Sequence, residues 1–73
     1  MNSLDKLEIG EIAQVDKLTC IGDMRRRMLD LGMVKGTPIC AILKSPCGDP
    51  TAFEIRGTII ALRKEDSQNI LIV

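Results

Sequence analysis

The sequence is poor in the residue types that do chemistry. It contains no histidine, tyrosine or tryptophan, and a single phenylalanine, Phe53. Without histidine or tyrosine the usual general bases are missing, so the chain is not expected to be an enzyme. One aromatic ring cannot form a stacking platform for bases or the walls of a groove for proline-rich peptides. Ten basic residues meet ten acidic ones, for a formal net charge of +0. The basic excess that neutralises phosphates is lacking, and no nucleic-acid partner is expected. No apolar run approaches the roughly 20 residues that span a bilayer, so no direct membrane insertion is expected. The N-terminal residues lack the basic and long apolar stretches of a secretion signal, which makes the cytoplasm the expected location.

The three cysteines, Cys20, Cys40 and Cys47, are an odd number and cannot all pair within one chain. Reduced thiols agree with a cytoplasmic setting, and Cys20 and Cys40 read as small buried hydrophobes. Their spacing matches no compact metal motif such as Cys-x2-Cys, and no Gly-x-Gly-x-x-Gly or Walker-type loop is present. No resident cofactor or metal is expected. The alternative is a weak surface metal site at Cys47, in a predicted turn, helped by the Asp49 carboxylate two residues on.

What is present is enough for one small domain over residues 1–73, with 45% hydrophobic residues. One helix stands out, between Ile21 and Thr37. At about 100° per residue, Ile21, Met24, Met28 and Leu31 share a narrow stripe that suits a helix lying on a core. Asp23 is the predicted N-cap, and Gly32 fits the left-handed position that ends many helices.

The rest reads as strands and turns. Leu4, Leu7 and Ile9 pin a lead-in to the body, and Gly10 turns it into a strand over 11–18, with Ala13 and Val15 on one face. A second strand covers 37–44, with Pro38 at its start or on an edge because it has no N–H to donate. Ser45-Pro46-Cys47-Gly48-Asp49-Pro50 is a dense turn. A third strand follows over 51–56, a reversal at Gly57, a fourth strand over 58–63 and a helical turn over 64–68. Ile70-Leu71-Ile72-Val73 closes the chain as a strand that pairs with an otherwise open edge. The fold class is mostly β: a small, partly open barrel of about five strands, with one inserted helix and a short helical turn before the last strand.

The helix carries the candidate site. Arg25, Arg26 and Arg27 fan over about 200° of its surface. A solvated, ion-paired face accounts for much of such a run, through the pairs Asp23–Arg27 and Arg26–Asp30. The functional reading is a contact patch, because arginine grips carboxylates and phosphates bidentately. Leu29 projects about 100° off the apolar stripe, and Met33 follows the helix. An apolar spot at Leu29 and Met33 ringed by Arg25, Arg26 and Arg27 is therefore the candidate partner-binding surface.

The ordered set Leu4-x-x-Leu7, Gly10-Glu11, Arg25-Arg26-Arg27-Met28-Leu29-Asp30-Leu31-Gly32-Met33-x-x-Gly36-Thr37, Ser45-Pro46-x-Gly48-Asp49-Pro50, Arg56-Gly57, Ala61-Leu62-Arg63-Lys64-Glu65-Asp66 and Ile70-x-Ile72-Val73 resembles the FeoA family. These are small cytosolic partners of the bacterial ferrous-iron transporter FeoB. The resemblance implies an SH3-like barrel with a helical insertion, and a role in Fe(II) uptake through contact with the cytosolic, GTP-hydrolysing part of the transporter. It carries no catalytic residues over. Cys47 and Ser67 depart from the residues more usual in that family. Three roles stay open at this point: an adaptor, an Fe(II) or Zn(II) carrier or sensor using Cys47 and Asp49, and an arginine finger acting in trans.

Overall fold

A computed structural model describes residues 2–73. Six antiparallel strands form one sheet in the order β1-β6-β2-β3-β4-β5. They are β1 (Asn2–Ser3), β2 (Ile12–Leu18), β3 (Pro38–Lys44), β4 (Thr51–Ile55), β5 (Thr58–Leu62) and β6 (Ile70–Ile72). Helix α1 (Gly22–Asp30) is inserted between β2 and β3, and α2 (Lys64–Ser67) is a single turn before β6. This is the mostly β, partly open roll expected, with one strand more. The added strand is β1, whose two residues pair with Leu71 and Ile72 of β6. Two residues carry no readable alternation, so only the pairing defines it.

The strand β2 rolls the sheet. Its first half, Ile12 to Gln14, pairs with β3, and its second half, Val15 to Leu18, pairs with β6. The register shifts between Val15 and Lys17, and such an irregularity bends a strand and increases its twist. Pro38 stands at the first position of β3, opposite Gln14, where its missing N–H is tolerated. Ile55 and Thr58 pair across a two-residue reversal in which Arg56 and Gly57 both have positive φ, 52° and 78°. That pair of left-handed residues matches the right-handed twist of the flanking strands.

The enclosed core is built from Leu4, Val15, Met28, Met33, Ile39 and Phe53, with Ile55 and Ile70 fully buried beside them. Four local expectations need correction. Asp23 lies within the first turn of α1, and the N-cap position is Ile21, which makes no side-chain cap bond. The chain enters the helix through Gly22 at φ +66°, which turns Ile21 away from the stripe and leaves it 84% exposed. Ile9 is likewise exposed, so Leu4 and Leu7 alone pin the lead-in, through a 3-10 turn over Leu4–Lys6. Cys20 and Cys40, expected to be buried, are only half-buried because each keeps one side toward solvent, and Cys47 in its turn is exposed.

Candidate functional site

The end of α1 determines which residues reach the surface. Leu31 closes the helix and Gly32 follows at φ +97°. The Gly32 N–H donates to the Leu29 carbonyl at 3.0 Å, and the Met33 N–H donates to the Met28 carbonyl at 3.0 Å. These two bonds make a Schellman motif, which folds the chain back under the last turn and brings the flanking apolar side chains inward. Met28 and Met33 are accordingly both core residues. Met33 was expected on the docking surface; it is 1% exposed and supplies a floor instead of a rim.

A groove of about 340 Å³ opens between α1, the second half of β2 and the loop after α1. From the predicted set it gathers Arg25, Leu29 and Met33. Leu29 and Val34 are each 39% exposed along it. Arg26 and Arg27 are exposed but do not line it. The remaining lining residues, Asp16, Lys17 and Leu18 on β2 and Lys35 after α1, escaped sequence reasoning. Lys17 and Leu18 lie at the end of a strand whose alternation marks a face, and nothing in that alternation says what stands opposite. Lys35 sits in a polar turn of the kind found on any surface.

The groove is lined by cations, aliphatic side chains and a single carboxylate, Asp16, with no thiol. The chemistry proposed for Cys47 and Asp49 is also constrained. The Lys64 N–H donates to Asp49 Oδ1 at 2.8 Å, so this carboxylate caps the start of α2 from a distant loop. The Ser45 hydroxyl donates to the Asp49 carbonyl at 2.6 Å, which holds the loop in shape. Among the described residues, no group of three or more His, Cys, Asp or Glu side chains is placed to hold a metal ion.

An antiparallel sheet rolled about β2 and sealed by one helix defines a small SH3-like barrel domain. A family model for the FeoA domain matches residues 2–73, and the chain belongs to the FeoA family. It is 31% identical over 67 residues to an Fe(2+) transport protein A/Fe(2+) transporter FeoB fusion protein of Porphyromonas gingivalis. That match covers 92% of this chain and 8% of the relative, so the chain spans under a tenth of the fused protein's length. Among solved structures, a FeoA-like protein of Clostridium acetobutylicum is 35% identical with a TM-score of 0.89, covering 99% of this chain and 84% of that one. The zinc-complexed FeoA of Stenotrophomonas maltophilia, described as a prokaryotic SH3 domain protein, is 25% identical with a TM-score of 0.90. There the coverage is 100% of this chain and 91% of that one. The chain thus belongs to a ferrous-iron transport family and not to a known family of enzymes. Among the described residues, no helix is long and apolar enough to cross a membrane.

Proposed function

We propose that this domain is a non-enzymatic accessory of ferrous-iron uptake, working in the cytoplasm, which docks on the cytosolic, GTPase-containing part of a FeoB-type transporter. The observation that carries the reading is the fused relative, in which a stretch similar to this chain and the transporter are one polypeptide. Fusion keeps two modules at high effective concentration, an arrangement that favours partners that act together. The groove between α1 and β2 supplies a suitable surface, with exposed Leu29 and Val34 over a rigid floor at Met33. Arginine is enriched among binding hot spots, and Arg25 stands on this groove with the exposed aliphatic side chains. Co-purification of this protein with the transporter's cytosolic domain tests the reading. Binding that is lost on Leu29→Asp supports docking through the groove; unchanged binding removes this surface, and no binding removes the reading.

The zinc of the Stenotrophomonas maltophilia relative favours a second reading, direct metal contact. Calorimetric titration of the reduced protein with Zn(II) or Fe(II) tests it. Heat at micromolar metal that disappears on Cys47→Ser carries the metal reading, and no heat ends it.

A further inference from the structure

The groove between α1 and β2 is charged in a way the whole chain is not. Lys17, Arg25 and Lys35 face it against one carboxylate, Asp16, a local excess of two positive charges in a protein of net charge +0. The acidic groups of α1, Asp23 and Asp30, do not line it. These cations surround aliphatic surface from Leu18, Leu29, Met33 and Val34. We infer that the groove takes a segment of the partner protein whose apolar anchors are flanked by aspartate or glutamate side chains, a proposal that rests on the docking reading above.

The reasoning is one of desolvation. Covering Leu29 and Val34 with a purely apolar partner strips water from the neighbouring cations, and an unpaired buried charge is costly. Carboxylates at the flanks of the incoming segment restore what the water supplied. Arg25 can bind one of them through two parallel N–H···O bonds, and the lysines act as point charges. A face of this kind also attracts its partner from a distance and rejects basic competitors. An anionic membrane surface shares the charge but not the shape. Its headgroups present a broad plane, whereas the apolar floor here is recessed, with Met33 buried at the bottom. The carboxylate of Asp16 also opposes a uniformly negative sheet.

Lys17, Arg25 and Lys35 are all exposed, so reversing them leaves the core intact, and circular dichroism checks that the fold is kept. The test compares binding of the purified cytosolic domain of the FeoB-type transporter to wild type, to Lys17→Glu/Arg25→Glu/Lys35→Glu, and to Leu29→Asp. We expect the triple variant to lose at least about tenfold in affinity, chiefly through slower association. Raising NaCl from about 50 to about 300 mM should weaken the wild type severalfold and the triple variant hardly at all. If the triple variant binds like wild type with the same salt dependence while Leu29→Asp fails, docking stands and the acidic partner segment is overturned. If wild type does not bind the domain, both fall. Phosphatidylglycerol vesicles form the last arm: capture by them that the triple variant loses, with domain binding unchanged, assigns the groove to membrane and overturns the proposal.

Discussion

Two of the open grooves among the described residues differ where it matters. One lies between α1 and β2; the other lies where the two ends of the chain meet, lined by Lys6, Leu7, Glu11, Ile12, Ile72 and Val73 among others. The second is the larger, about 540 Å³ against about 340 Å³. It also shows more apolar surface, with Ile12 at 72% exposure where Leu29 has 39%. Size and apolar exposure alone would therefore favour it. Its side-chain charges cancel, however, one lysine against one glutamate, while the groove at α1 keeps an excess of two cations. Isolated exposed hydrophobics are ordinary on protein surfaces. Apolar contact combined with an uncompensated local charge is a stronger mark of a specific surface, because it selects the partner as well as attracting it.

The comparison can be broken at several points. The largest effect is expected at the floor of the charged groove. Met33→Ala removes a fully buried side chain and should cost about 2–5 kcal/mol of stability, whereas Ile12→Ala in the other groove should leave the denaturant midpoint almost unchanged. Equal costs at the two positions would show that Met33 is no more a buried floor than Ile12 is. Next comes binding: Leu29→Asp should weaken capture of the transporter's cytosolic domain at least about tenfold, ~1.4 kcal/mol, and Ile12→Asp should not. The reverse outcome would transfer the docking site to the groove at the chain ends.

Smaller effects sharpen the local geometry. Gly32→Ala should destabilise the domain by about 1 kcal/mol, because φ +97° is strained for a side chain and the new Cβ would approach Arg56 Cδ at 3.1 Å. Asp49→Ala should cost about 1 kcal/mol, measured in metal-free buffer, because the Lys64 N–H loses its acceptor. Asp49→Asn, which keeps an oxygen acceptor, should recover most of it. Stability that falls only when metal is present would return Asp49 to the role of a ligand. Smallest of all, Arg26→Glu and Arg27→Glu should leave both the melting temperature and domain binding as they are, since neither side chain lines the groove.

Much of the architecture was legible in the residues, for identifiable reasons. Pro38 has no N–H and was confined to the start of its strand or to an edge; it begins β3. Gly57 and Arg56 form a reversal whose positive φ values the glycine announces. The apolar stripe of α1 was read correctly at Met24, Met28 and Leu31, which pack on or within the core. It failed at Ile21, because helical periodicity assumes helical φ and Gly22 departs from it. The candidate site was half legible. Arg25 and Leu29 follow from their positions on the helix. Met33 did not, because its burial depends on a turn that reverses the chain immediately after the helix ends.

The amino-acid order by itself determined the local elements, the balanced overall charge and the scarcity of catalytic groups, since each depends on near neighbours in the chain or on composition alone. Only the tertiary structure decided that Lys17 from a strand and Lys35 from a loop stand beside Arg25 of the helix, and that Asp49 caps a helix fifteen residues downstream. The physical reason is the roll of the sheet about β2. It brings together residues that are distant in sequence, and side-chain periodicity carries no information about such encounters.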